Sequence, residues 1–236
     1  MSIDMIIRPP IAAGNLYPSD ADDLVARLAS LLLSFPTEET KPSALIVPHE
    51  SIEDAGVTSA AAFRHLSSSG MQVTTVVIIG AASNETKGAV LPNCDEFRTP
   101  LGPVPVDENI SNSLASLSFV DRNDLEHIKT NSIEVQLPFL QTCLLNFSII
   151  PLLVGQMSQL EMMRLFASVP NGPDTLTILS LDIDSNTHEC SNQIEQDLLD
   201  VFTEYTHQQN QAVVDADYRY LRCASKLPAY SSYIVN

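Results

Sequence analysis

Apolar residues follow two spacings along the chain, one typical of helices and one typical of buried strands. Four leucines recur at three- and four-residue intervals within residues 20–33, behind Ser19 and Asp20, either of which can cap a helix. This pattern predicts a helix over residues 20–33. Residues 43–48 and 73–80 are instead short, continuous apolar runs, the second rich in β-branched side chains and closed by glycine. Both runs predict buried strands.

The same alternation continues to the end of the chain. Further strands are predicted over residues 147–154 and 175–181, and further helices over residues 56–68, 107–117, 158–169, 195–206 and 210–221. Helices between strands favour an α/β protein with a central parallel or mixed sheet flanked by helices, because a parallel crossover needs a dozen or more residues. No Pro/Gly/Ser-rich linker or internal repeat divides the chain, so one domain over residues 1–236 is expected.

Composition narrows the classes of partner. The 236 residues are 44% hydrophobic and carry a formal charge of −17, which opposes binding to nucleic acid or to anionic membranes. No apolar run approaches the roughly 18–20 residues that a bilayer requires, and the first ten residues lack a signal-peptide pattern. We therefore expect a soluble, cytoplasmic protein.

Cysteine usage agrees with a reducing compartment. The four cysteines lie far apart and form no CxxC pair or zinc-finger spacing, so they are expected to be thiols. The alternative is that one or two disulfide bridges form among them. They are Cys94, Cys143, Cys190 and Cys223.

Polar side chains follow the predicted strands at the places where an α/β sheet binds ligands. In such sheets the ligand lies beyond the carboxyl ends of the strands, where loops present side chains. A candidate cleft is therefore expected from loops after three strands and from one loop before the apolar residues 137–139. Its side chains are His49, Glu50, Ser83, Asn131, Glu134, Asp182 and Ser185.

Several of these positions have two interpretations. His49 is either a ligand or a hydrogen-bonded structural residue. Asp182 and Asp184 could bind a hard cation such as Mg²⁺, or their loop could cap the following helix. Glu134 could act as a general base or orient His49, or it could be a buried carboxylate that accepts backbone hydrogen bonds.

Motifs for nucleophilic or nucleotide chemistry are missing from the sequence. There is no GxSxG elbow, no GxxxxGK[ST] phosphate loop and no GxGxxG fingerprint. Hydrolase, kinase and dehydrogenase functions are therefore disfavoured.

Segments spread over most of the chain carry a family resemblance. They are AGNLYP at residues 13–18, IVPH at 46–49 with Gly56, RTPLG at 98–102 with VD at 106–107, NSIEVQLPFL at 131–140 and IPLLVG at 150–155. In this order they resemble the MEMO family, also called the AmmeMemoRadiSam system protein B family. The resemblance implies a fold similar to that of the class III extradiol dioxygenases (LigB-like).

The departures from the family pattern fall on positions that carry chemistry. Serine or asparagine stands where the family has histidine at Ser83, Asn131 and Ser185. Of the His/His/Cys metal set that the resemblance implies, His49 and Cys223 are retained. A catalytic metal needs about three protein ligands, and neutral oxygen ligands do not replace imidazole for late first-row ions. The expectation is therefore no cofactor, or weakly bound iron or copper.

These observations favour a divergent MEMO-like protein with a degenerate metal site, acting as a non-catalytic binding or scaffold protein. The alternative is a metal-dependent, dioxygenase-like oxidoreductase that uses His49 and Cys223 with Asp182 or His188 as an unconventional third ligand. A third possibility is a metal-free small-molecule pocket.

The resemblance also bears on partners. Microbial members of the family occur with AMMECR1-like and radical SAM proteins, and the animal member is linked to phosphorylated receptor peptides. The shortage of basic residues, 12 Lys+Arg against 29 Asp+Glu, is unfavourable for phosphopeptide binding.

Overall fold

The structure, a computed structural model, describes residues 5–36, 42–68, 72–182, 190–209 and 213–215. The helices, α1 to α7, are Ala21–Leu33, Gly56–Ser68, Glu108–Leu114, Asp124–Lys129, Leu137–Cys143, Gln159–Ser168 and Gln193–Gln208. The strands, β1 to β10, are Ile7–Arg8, Ala44–Pro48, Thr75–Ala81, Ala89–Leu91, Glu96–Thr99, Gly102–Pro105, Val120–Arg122, Ser148–Val154, Thr175–Leu181 and Val213–Asp215. A short 3-10 helix, Glu134–Gln136, leads into α5.

Seven of these strands form one central sheet in the order β10-β2-β9-β3-β8-β4-β7. All neighbouring pairs are parallel except β4 with β8, which is antiparallel. The strands β1, β5 and β6 form a small second sheet. The prediction of an α/β fold with a mixed central sheet flanked by helices is confirmed.

The central sheet is covered on both faces, and β3 shows how. Val76 and Ile78 pack with one hydrophobic group that includes Phe63, whereas Val77 and Ile79 pack with a second group that includes Phe166. Alternate side chains of a strand point to opposite faces, so a continuous apolar run supplies both groups. The described residues form one domain around this sheet, and its extension over residues 1–236 stays a prediction.

Helix boundaries follow the capping residues closely. The Asp20 carboxylate accepts the backbone N–H groups of Asp22 and Asp23 at 2.9 and 3.1 Å, which starts α1 one residue after Asp20. Helix α2 and strand β9 have the predicted bounds, 56–68 and 175–181. Among the helices that the structure describes, none is long and apolar enough to cross a membrane.

The helix predicted over residues 210–221 is wrong where the structure describes it. Val213–Asp215 is instead strand β10, which pairs in parallel with Ala44–Ile46 of β2. Adjacent valines favour an extended backbone, and an unpaired edge of β2 offers hydrogen-bonding groups that a strand can use. The rest of that predicted helix lies outside the described residues.

Candidate functional site

Three neighbouring parallel strands bring the predicted site loops to one edge of the central sheet. Pro48 at the end of β2 pairs with Leu181 at the end of β9, and Gly80 of β3 pairs with Ser180 of β9. The residues that follow these ends therefore emerge on the same side of the sheet. His49, Ser83 and Asp182, which follow these strands in the sequence, are therefore expected at this edge.

His49 directly follows β2 and is half-buried. Its Nδ1 atom is buried, and no hydrogen-bond partner for it exists among the described residues. Burial lowers the pKa of His49, while the nearby Asp182 charge and a hydrogen bond to the Ser180 backbone partly offset that effect. Burial thus favours the neutral imidazole, which carries a lone pair on one ring nitrogen.

Ser83, where the resemblance implies a histidine, belongs to a polar network. Its hydroxyl donates to Glu126 Oε2 at 2.9 Å and lies 2.9 Å from Thr86 Oγ1. Glu126 also forms an ion pair of 2.6 Å with Lys129. Hydrogen bonding from Lys129, with smaller contributions from Thr86 and Ser83, lowers the pKa of Glu126 to about 2. The Ser83 hydroxyl therefore hydrogen-bonds a charged carboxylate of helix α4.

The loop with Asn131 lies over the strand ends and is buried apart from its first residues. Asn131 itself is half-buried, and its carbonyl accepts the Val135 N–H at 3.1 Å. Farther along, Gln136 donates through Nε2 to the Pro48 carbonyl and to Ser180 Oγ, each at 2.9 Å. Ser180 Oγ in turn donates to the Ser132 carbonyl at 2.6 Å. The Asn131 loop is thus tied to the ends of β2 and β9.

Glu134 is fully buried, and the four hydrogen bonds that its carboxylate accepts from described residues all come from the N-terminal segment. It accepts from Arg8 Nη1 at 2.9 Å, from the N–H groups of Ile11 and Ala12 at 3.1 and 2.7 Å, and from the Tyr17 hydroxyl at 2.6 Å. No hydrogen bond joins Glu134 to His49 in the described ranges. This geometry corresponds to the structural interpretation of Glu134.

Arg8 makes two further contacts besides its ion pair with Glu134. Its Nη2 donates to the His127 carbonyl at 2.6 Å, and its guanidinium lies 4.8 Å from the centre of the Phe97 ring. Burial lowers the pKa of Arg8 and raises the pKa of Tyr17. Sequence reasoning missed Arg8, which has no motif around it, whereas Tyr17 was visible within the AGNLYP segment.

A second carboxylate, Glu195, lies next to Asp182 and was not predicted. Glu195 is 2% exposed, and it accepts the Ser191 hydroxyl at 3.0 Å and a hydrogen bond from the Asp182 backbone. Burial raises its pKa to about 7. The cap of helix α7 is Asn192, whose side chain accepts the Glu195 N–H at 3.1 Å, so Asp182 does not cap it.

Glu50 is exposed and borders a small cleft. The cleft has a volume of about 10 Å³, which is room for about one water molecule. Its wall includes Tyr17, Gln136 and Phe139.

Several predicted positions lie outside the described residues. They are Asp184, Ser185, His188 and Cys223. Of the cysteines that are described, Cys94, Cys143 and Cys190 are in the thiol form. In residues 5–36, 42–68, 72–182, 190–209 and 213–215, no three His, Cys, Asp or Glu side chains come together as a metal site. The described side chains at His49, Ser83 and Asn131 offer one imidazole, one hydroxyl and one amide.

Comparison with known proteins identifies the family. The model of the family described as "Memo-like protein" matches residues 8–219. A MEMO1 family protein from Methanobrevibacter smithii is 28% identical over 208 residues, which cover 80% of this chain and 74% of that protein. A MEMO1 family protein from Methanocaldococcus jannaschii is 35% identical over 161 residues, 62% of this chain and 56% of its own length.

An animal relative is similar as well. The memo-1 homolog of Caenorhabditis elegans is 31% identical over 179 residues, which are 72% of this chain and half (50%) of the worm protein. The match therefore spans between half and three quarters of the length of these three relatives. Since the family model covers most of the sequence, the chain belongs to the Memo-like family.

Proposed function

We propose that this chain is a divergent Memo-like protein whose metal site is degenerate and which acts as a non-catalytic binding or scaffold protein. The observation that carries the proposal is the hydrogen bond from Ser83 to Glu126 at 2.9 Å. The hydroxyl stands where the resemblance implies an imidazole, and it donates a hydrogen bond to a carboxylate.

Ligand chemistry supports the same conclusion. A serine hydroxyl is neutral and weakly basic, and it binds a late first-row ion far more weakly than imidazole or thiolate. If Ser83 turned toward a metal, the Glu126 carboxylate would lose a donor that contributes to its low pKa. Asn131 offers a neutral amide at the other replaced position, so His49 is the one imidazole that the described family positions supply.

Elemental analysis tests the proposal. The full chain is incubated anaerobically with iron(II), or with copper(II) in a second sample, and is desalted before its metal content is measured. We expect far less than one equivalent of either metal. A stoichiometric amount that His49→Ala removes and His207→Ala does not would overturn the proposal, because His207 is an exposed histidine on α7.

The second candidate is a metal-dependent, dioxygenase-like oxidoreductase. It is favoured by the buried Nδ1 of His49, which has no partner among the described residues. Cys223 and a third ligand, Asp182 or His188, would complete this metal site. Oxygen consumption with catechols by metal-loaded protein tests it, and a rate equal to that of metal-loaded His49→Ala counts against it.

Ligand, partner and location are further proposals. A metal-free small-molecule pocket would use Glu50, Ser83 and Asn131 as hydrogen-bonding groups. Protein partners of the AMMECR1-like or radical SAM class follow from the family, and a cytoplasmic location follows from the composition. Co-purification of a tagged chain with such proteins, compared with a Memo-like relative that keeps its histidines, tests the partner proposal.

A further inference from the structure

Gln136 contacts the segments that carry the candidate cleft, although it is itself 1% exposed. Its Nε2 donates to the carbonyl of Pro48, which immediately precedes His49. The same nitrogen donates to the hydroxyl of Ser180, two residues before Asp182. One amide therefore bridges the two strand ends that lead into the imidazole and the carboxylate.

The direction of these hydrogen bonds follows from the chemistry of the partners. The Pro48 carbonyl can only accept, so the NH₂ group of Gln136 must face it. Ser180 has a single proton, which it donates to the Ser132 carbonyl at 2.6 Å, so its oxygen accepts from Gln136. The bonds run from Gln136 through Ser180 to Ser132, the neighbour of Asn131.

Strand β3 meets the same loop. A Cβ atom added at Gly80 would overlap the side chain of Ser132. The absence of a side chain at Gly80 thus permits the loop to lie directly on the end of β3. The ends of β2, β9 and β3 therefore all converge on the segment from Ser132 to Gln136.

We propose that Gln136 is the positioning residue of the candidate cleft. Its amide holds the peptide that leads into His49 against the loop with Asn131 and against the strand that leads into Asp182. Both amide hydrogens are used in a buried site, where an unsatisfied acceptor is costly and linked hydrogen bonds strengthen one another. The inference rests on the proposed function only in assigning His49 to the cleft.

The test compares two glutamines of the same segment. Gln136→Glu keeps the shape of the side chain but replaces the donating NH₂ with an acceptor. Gln141→Glu makes the same change on α5, where the side chain donates to the Gly102 carbonyl at 3.2 Å and accepts from Thr99. Both changes remove an NH₂ hydrogen-bond donor, but only Gln136→Glu removes one that holds the strand ends of the candidate cleft.

The readout is the rate at which diethyl pyrocarbonate modifies His49 in the full chain at constant pH, followed by peptide mass spectrometry. Losing the Gln136 bonds favours local opening, so we expect His49 to react about tenfold faster in Gln136→Glu. In Gln141→Glu the rate should stay within about twofold of wild type. The exposed His207 serves as the internal reference.

A second variant covers the case in which Gln136→Glu does not fold. Ser180→Ala keeps the bond to Pro48 and removes the link to Ser132, and about a threefold faster reaction of His49 is expected. Equal His49 rates in wild type and in whichever of the two variants folds would overturn the inference. Because no metal enters this experiment, its failure is distinct from a failure of the proposed function.

Discussion

At the scale of single residues, Glu134 shows how a motif residue with apparent chemistry serves the fold. Its carboxylate is 0% exposed and accepts from Arg8, Tyr17 and two backbone N–H groups. A buried charge is tolerated when it is paired and its lone pairs are satisfied. Glu134 therefore joins the N-terminal segment to the loop over the strand ends.

Glu134→Gln should destabilise the protein strongly. The amide leaves the buried Arg8 guanidinium without its counter-charge, and breaking a buried pair in this way costs about 3–5 kcal/mol of unfolding free energy. Urea unfolding at pH 7 measures the loss. Glu53→Gln, which removes the carboxylate of an exposed ion pair with Arg27, is the control and should change stability little. Similar losses in both variants would contradict this account of Glu134.

Two buried titratable residues, Glu195 and His127, change the stability of the fold in opposite directions as the pH falls below 7. Glu195 has a pKa of about 7 in the fold against 4.5 ordinarily, so its ionisation removes stability as the pH rises from about 4.5 through 7. His127 has a pKa of about 4 against 6.5, since burial disfavours its charged form. Protonation of His127 in the unfolded chain removes stability as the pH falls from about 6.5 to 4. The two effects largely cancel in the wild-type protein.

Glu195→Gln separates these effects. The amide avoids the cost of a buried charge, so the variant should gain stability relative to wild type at pH 8, by up to about 3 kcal/mol, and much less at pH 5. Urea unfolding at both pH values measures the difference. Glu204→Gln, an exposed change on the same helix, should show no such pH dependence. An equal effect of Glu195→Gln at both pH values would contradict the assignment of the pKa.

The predicted site residues differ in how far sequence alone could locate them. His49 and Asp182 could be placed because both follow apolar runs, and parallel strands end at one edge of the sheet. Arg8, Gln136 and Glu195 were missed because their roles depend on tertiary contacts. Arg8 and Glu134, for example, are 126 positions apart. Patterns of nearby residues do not encode such pairs.

At the scale of elements, local capping chemistry made the long helices predictable, whereas short strands were not. Ser158 and Glu161 form a reciprocal capping box at the start of α6, and both lie within four residues of sequence. Strands β4, β5 and β6 have only three or four residues each. Their pairing comes from the tertiary fold, as does that of β10, so no periodic pattern indicates them.

Ser158→Ala should remove the cap of α6. The backbone N–H of Glu161, in the first turn of α6, loses its acceptor. The expected loss of unfolding free energy is about 1 kcal/mol. Ser168→Ala, at the other end of the same helix, removes only a bond from its hydroxyl to the Arg164 carbonyl and should be nearly neutral. Thermal unfolding of the two variants gives the comparison, and an equal shift in midpoint would count against the capping box.

At the scale of the whole molecule, the charge of −17 governs non-specific binding. Nucleic acids and anionic bilayers repel an acidic protein unless it presents a basic face. The wild-type chain should therefore stay in the supernatant when it is sedimented with anionic vesicles at low ionic strength, and it should not retard duplex DNA in a gel. Co-sedimentation with the vesicles or a DNA gel shift, if added salt abolished it, would reveal a basic surface and contradict this prediction.

We propose that this chain lacks a tight metal site at the strand edge because serine and asparagine stand where the resemblance implies imidazoles. Ser83 hydrogen-bonds Glu126, and the described ranges hold no group of three metal-binding side chains. The most direct measurement is an anaerobic calorimetric titration of the full wild-type chain with iron(II) at pH 7, repeated with copper(II) and with His49→Ala. The account predicts no saturable, His49-dependent binding. Saturation at one equivalent in wild type, lost in His49→Ala, would contradict it.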